Sequence, residues 1–188
     1  HTLSRVAKAN AQDIRNACAL ARQSQKDWAA MPYQARAAIF RKAAQLLEIN
    51  RSGFSEWIVR ETGGIVPKAM FEIDSVVHQL NEAAAMLTQP QGLVLPSLNG
   101  VTSIAKRVPH GVVGVISPFN FPFLLTSRAV APALATGNAV VLKPDPRTPV
   151  SGGVLLARLL EAAGLPNGVF CMLPGEAEAG EALVCDPD

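Results

Sequence analysis

Residues 111–122 read GVVGVISPFNFP, residues 139–144 read AVVLKP and residues 169–174 read VFCMLP. Each is a short apolar run halted by a proline, the text of a strand that ends in a loop. Between them, residues 123–136 and 150–163 carry apolar positions at helical spacing and close on Gly137-Asn138 and on Gly164. The order strand, helix, strand, helix, strand predicts a βαβαβ unit with right-handed crossovers, one half of a doubly wound nucleotide-binding sheet. The unbroken apolar run at residues 112–116 predicts a strand buried on both faces. The second strand is expected at residues 139–142, the third at residues 169–173, and a last helix from about Glu176.

Upstream the text changes. Leu93-Val94-Leu95 and residues 102–108 read as antiparallel or bridging strands on either side of a Ser-Leu-Asn-Gly turn. Before Pro90 the chain reads as helices. Asn10 caps the first, with Asp13 at the third position, and Ile14, Ala17, Cys18, Ala21 and Trp28 form its apolar stripe. Pro32 suits the first turn of a second helix carrying Ile39, Ala43, Leu46 and Leu47. Ser52 opens a third, ended by Gly63-Gly64, and Pro67 a fourth, whose stripe runs from Met70 to Leu87. The predicted organisation is a helical segment over residues 1–90, bridging strands over 91–110, and the βαβαβ half over 111–188.

Composition narrows the function classes. Of the 188 residues 49% are hydrophobic and 17% charged, which argues against disorder. Lys and Arg number 17 against 15 Asp and Glu, so no nucleic-acid or membrane-surface footprint is expected. No apolar run reaches the length that spans a bilayer. Cys18, Cys171 and Cys185 have no metal-ligand spacing and cannot all pair, so no metal is expected and a reducing cytoplasm is the simplest setting. The chain starts without Met and stops at Asp188, and reads as cut at both ends.

In an open α/β sheet the ligand lies beyond the carboxyl ends of the strands. The three tips are Ser117-Pro118-Phe119-Asn120-Phe121-Pro122, Lys143-Pro144-Asp145-Pro146-Arg147 and Pro174-Gly175-Glu176. None carries the G-x-G-x-x-G phosphate fingerprint. Asn120 between two phenylalanines reads as a loop-shaping residue or as a neutral donor, and Lys143 as a solvated lysine or a ligand contact.

In sequence, these tips resemble the aldehyde dehydrogenase superfamily. Gly111-Val-Val-Gly-Val-Ile-Ser-Pro-Phe-Asn-Phe-Pro is similar to that family's strand and loop, with Phe119 where Trp is usual. Ala133-Leu-Ala-Thr-Gly-Asn-Ala-Val-Val-Leu-Lys-Pro and Ala163-Gly-Leu-Pro-Asn-Gly-Val-Phe match its next two segments. Arg60-Glu-Thr-Gly-Gly-Ile-Val-Pro-Lys and Lys143-Pro-Asp-Pro-Arg-Thr most resemble the benzaldehyde and vanillin dehydrogenases. The resemblance implies a Rossmann-like sheet and oxidation of an aldehyde, here aromatic, to its acid. It implies a cysteine thiolate attacking the carbonyl, hydride passing to NAD or NADP, and water hydrolysing the thioester.

The resemblance also assigns residues. Asn120 falls on the oxyanion-stabilising asparagine. Ile116, Ser117, Pro118, Phe119, Lys143, Asp145, Pro146, Gly175 and Gly180 fall on the cofactor site. Phe121, Leu124, Leu125 and Arg128 fall on the substrate tunnel. Pro146 stands where NAD-preferring members often carry a Glu that grips the ribose hydroxyls, which removes a barrier to NADP; the subfamily still favours NAD. Arg147 either meets a 2′-phosphate or faces solvent. The family's nucleophile and general base are expected beyond Asp188, the partner is a small-molecule aldehyde, and a full-length dimer or tetramer is expected. A catalytically silent binding module and a CoA-acylating enzyme stay open as alternatives.

Overall fold

A computed structural model describes residues 2–187. Four helices come first: α1 (Ala11–Ala30), α2 (Tyr33–Ile49), α3 (Arg51–Thr62) and α4 (Val66–Met86). The Asn10 side chain accepts from the amides of Gln12 and Asp13, and Asp13 accepts from Asn10 N–H, so α1 starts in the expected capping box. Gly63 ends α3 at φ 68°, where a Cβ would be strained. Pro32 stands just before α2 rather than in its first turn, and α4 starts at Val66, one residue ahead of Pro67.

An antiparallel hairpin, β1 (Gly92–Leu95) and β2 (Ser103–Lys106), follows in the register Gly92↔Lys106. It is shorter than the strand expected over 102–108. Leu93, Val94 and Ile104 are exposed on it.

The βαβαβ unit comprises β3 (Val112–Ile116), α5 (Pro122–Ala135), β4 (Ala139–Lys143), α6 (Leu155–Ala163) and β5 (Phe170–Met172), and α7 (Ala177–Val184) closes the chain. The strands are parallel in the order β3-β4-β5. β4 is buried throughout, and its residues alternate between two apolar cores. Val140 and Leu142 join α2, α4, α5 and α6, with Trp28 and Phe40 among the largest buried side chains. Ala139 and Val141 face Ile14, Ala17 and Ala21 of α1 and Ala179 and Leu183 of α7. The first helix therefore covers one face of the sheet, and the Trp28 indole ties it to the other by donating to Leu134 O at 2.8 Å.

Two expectations are corrected here. The strand buried on both faces is β4, the middle one; β3 stands at the edge of the sheet, and within it only Val115 is buried. The continuous helix over 150–163 is instead a π turn, Val150–Val154, running into α6. Gly152 and Gly153 lie there against the loop prolines: a Cβ on Gly153 would sit 3.0 Å from Pro144 Cγ, and one on Gly152 3.2 Å from Pro122 Cβ. The wide turn seats the crossover under both strand tips, where such turns recur at functional sites.

Candidate active site

The carboxyl ends of β3 and β4 are level, because Ile116 pairs with Lys143 and Ser117 N–H donates to Lys143 O at 3.2 Å. Ser117 is buried, and its hydroxyl has no hydrogen-bond partner among the described residues. Lys143 is also buried, with its ammonium donating to Pro144 O at 3.2 Å. Its stem lies against Gly180 of α7, where a Cβ would stand 3.3 Å from Cε and 4.0 Å from Ile116 Cδ1. Four residues expected at a cofactor site, Ile116, Ser117, Lys143 and Gly180, are thus brought together by strand register and one close helix approach. Gly175 does a different job at the third tip. A Cβ there would meet Ala179 Cβ at 2.5 Å and Ala9 O at 3.2 Å, so this glycine lets the turn into α7 close on the start of α1.

Phe119, Asp145 and Arg147 form a second group across the first two tips. The Arg147 guanidinium forks onto Asp145, with Nε at 2.8 Å from Oδ1 and Nη2 at 2.9 Å from Oδ2, and its Cζ lies 3.5 Å from the Phe119 ring centroid. Arg147 is exposed to solvent, yet its guanidinium is held by Asp145 rather than standing free for a phosphate. The Arg147 side chain, outweighing the opposing effect of burial, holds the Asp145 carboxyl below the usual carboxylate range. Pro118 and Pro146 flank the pair, both exposed.

Asn120 is exposed in the bend between β3 and α5. Leu124, Leu125 and Arg128 of α5 fall within one helical face by their spacing, and Phe121 stands just ahead of that helix. Phe121 and Leu125 are half-buried, Leu124 is buried and Arg128 is exposed. Phe71 of α4 meets Phe121 edge-on at 6.3 Å, extending an aromatic wall that the sequence reading missed.

Two glutamates it also missed hold the crossover helices. Neither Phe121 nor Pro149, the residues ahead of α5 and the π turn, offers a capping side chain. Glu72, fully buried on α4, accepts from Phe123 N–H at 3.0 Å and Leu124 N–H at 3.2 Å through one oxygen. Glu61, at the end of α3, accepts from Val150 N–H at 2.9 Å and Ser151 N–H at 2.6 Å, and from the Ser151 hydroxyl. The missing local caps were the available signal, since orphan helix amides need a partner from somewhere.

None of the cysteines is poised as a nucleophile. Cys18 is buried; burial pushes the Cys171 thiol up, and its Sγ lies 3.7 Å from Gly168 O, before the start of β5; Cys185 follows α7. Among the described residues no cluster could hold a metal, and no helix is long and apolar enough to cross a membrane.

The family model for the aldehyde dehydrogenase family matches residues 1–188. The chain belongs to the aldehyde dehydrogenase family. It is 51% identical over 184 residues to a vanillin dehydrogenase of Amycolatopsis sp., covering 98% of this chain and 38% of that relative. It is 48% identical over 179 residues to the NAD(+) benzaldehyde dehydrogenase of Pseudomonas putida, covering 95% of this chain and 37% of that relative. Its fold matches the crystal structure of an NAD-dependent benzaldehyde dehydrogenase from Corynebacterium glutamicum at a TM-score of 0.93 and 41% identity, over 98% of this chain and 41% of that one. This family chain thus spans well under half the length of the relatives it matches, and the helical segment followed by a parallel sheet is the family's own arrangement.

Proposed function

We propose that this chain forms part of the cofactor side of an NAD(P)-dependent dehydrogenase that oxidises an aromatic aldehyde to its acid, with NAD favoured. The observation that carries the reading is the level pair of strand tips, Asn120 beyond one and Lys143 at the end of the other, with Gly180 packed on the lysine stem. The residues fit a dinucleotide. A buried, unpartnered Ser117 hydroxyl and a lysine bonded only to a neighbouring carbonyl offer donors for ribose and phosphate oxygens, and Gly180 leaves the room that a Cβ would fill. Ile116, Pro118, Phe119, Asp145 and Pro146 shape the same wall, and Gly175 sets the turn at the third tip. The dinucleotide supplies a hydride acceptor.

Asn120 acts on the substrate. As the aldehyde carbon becomes tetrahedral, negative charge gathers on its oxygen. A neutral amide N–H stabilises that charge without surrendering a proton, and one such donor contributes about 3–4 kcal/mol. Phe121, Leu124, Leu125 and Arg128 line the approach of the aromatic ring, Phe121 and Phe71 offering flat apolar surface. The homologous vanillin and benzaldehyde dehydrogenases support an aromatic substrate. A homo-oligomer, dimer or tetramer, is part of the same reading, and the exposed apolar residues of the β1–β2 hairpin support it.

The test is Asn120→Ala in the enzyme at the full length of its relatives, assayed with benzaldehyde and vanillin. We expect kcat to fall about 10²–10³-fold while the KM for NAD changes little, because the donor acts on charge absent from the ground state. A normal kcat with weakened NAD binding would make Asn120 a loop-shaping residue instead.

A further inference from the structure

We infer that Glu72 is a positioning residue for Asn120, a statement that rests on the reading of Asn120 as the oxyanion donor. The chain from β3 to α5 is anchored at two places. At one, Ser117 N–H donates to Lys143 O at 3.2 Å; at the other, the Glu72 carboxylate takes the amides of Phe123 and Leu124 at 3.0 and 3.2 Å. Between them, residues 118–120 make no backbone hydrogen bond among the described residues. On its helical side the Asn120 segment is therefore held from three residues away, by a carboxylate on another helix, while Phe119 on its strand side rests against Arg147.

The arrangement is specific in both its oxygens. The second oxygen of Glu72 lies 2.6 Å from Lys68 Nζ, one turn back on α4, an ion pair whose angles fall outside a hydrogen bond. Lys68 Nζ in turn lies 4.9 Å from the centroid of Phe121, the residue after Asn120. Glu72 so fixes the first turn of α5 directly, and through Lys68 it fixes the ring beside the asparagine. A fully buried carboxylate is costly unless every partner is in place, whereas a Ser or Asp at Phe121 would cap the helix locally. What the remote cap adds is a rigid link from the helical segment to the loop that holds the donor. Misplacement of a catalytic group by about 1 Å can cost on the order of a hundredfold in rate.

The experiment is a double-mutant cycle on kcat with Glu72→Gln and Asn120→Ala in the full-length enzyme, with the KM for NAD recorded for each variant. Glu72→Gln keeps the shape but has one acceptor for two jobs: with its carbonyl on the backbone amides, its N–H₂ is set against the Lys68 ammonium, and with the carbonyl on Lys68 the cap is lost. We expect it to lower kcat about ten- to a hundredfold with the KM for NAD held within about twofold. In the Asn120→Ala background the same substitution should then change kcat by less than about twofold, since the donor it positions is gone. Equal losses in both backgrounds would overturn the proposal, because a general loosening of the fold multiplies with the loss of Asn120. If Glu72→Gln fails to fold, Lys68→Met leaves the cap and removes its ion pair. Its expected loss in kcat is several-fold, again absent without Asn120, and a loss that persists there refutes the link. Asn120→Ala with an unchanged kcat would overturn the oxyanion reading itself, separately from anything Glu72 does.

Discussion

Glu61→Ala removes a cap that nothing nearby can replace. The substitution strips the acceptors from Val150 N–H and Ser151 N–H and from the Ser151 hydroxyl, and Pro149 offers no side chain in exchange. Val150 and Ser151 are buried, so their amides do not simply turn to water. A buried donor left unmade costs about 1–3 kcal/mol, and since Glu61 is itself half-buried, some water reaches the vacancy. The lower half of that range applied to both amides gives about 2–4 kcal/mol. At about 2–4 °C per kcal/mol for a domain of this size, Tm should fall about 5–15 °C. Glu61→Gln keeps one carbonyl acceptor and should lose about half as much; Ser151→Ala, which deletes only the hydroxyl, should lose less still. Calorimetry of the three variants tests the order. Hydrogen exchange at Val150 and Ser151 tests the place, because the amides freed in Glu61→Ala should exchange faster than those of α2. A Tm within about 1 °C of the parent, with both amides still protected, would refute the idea that Glu61 holds this turn.

Gly180→Val should drive the Lys143 stem from its place, since a Cβ already stands 3.3 Å from Cε; we expect the KM for NAD to rise about tenfold at unchanged kcat, and Gly180→Ala to be far milder. Asp145→Asn should release Arg147 from its two-pronged bond and raise NADP use relative to NAD, read from kcat/KM for each cofactor. An unchanged ratio would place Arg147 out of reach of the ribose. Because Asp145 is held below the usual carboxylate range, the stabilisation from this pair is present above the unfolded carboxylate pKa, and the pair should persist until the pH falls through that lowered value.

Features set by neighbours in sequence were legible, and those set by distant packing were not. The capping box at Asn10 and Asp13, the glycine that ends α3 and the strand at 139–143 rest on local chemistry, and each stands within a residue or two of its expected place. The burial of β3 was misread because an apolar run carries no record of which helix covers it. The π turn was invisible because it arises where Gly152 and Gly153 meet Pro122 and Pro144 from other elements. For the site, motif order located the tips, yet it could not place Arg147 on Phe119 or bring Glu61 and Glu72 to backbone amides 89 and 51 residues further along the chain.

Those two glutamates go together with the absence of a glycine-rich fingerprint after β3 and β4. In the usual dinucleotide fold the glycines let a pyrophosphate come close to a helix N-terminus, where free amides and the helix dipole receive it. Here the N-termini of both crossovers already hold a carboxylate of the chain itself, Glu72 on α5 and Glu61 on the π turn. A phosphate brought to either would find the nearest amides already taken. The prolines at 118, 122, 144, 146 and 149 can then occupy tips where glycines would otherwise be required, and they stiffen the loops that carry Asn120 and Asp145. Among the described residues at these tips, Arg147 is matched by Asp145 and Lys68 by Glu72, which leaves Lys143 as the cation without a carboxylate partner. On the proposed reading, cofactor binding at these tips would centre on Lys143 and the glycine beneath it, and Glu72 would hold the Asn120 loop on its helical side.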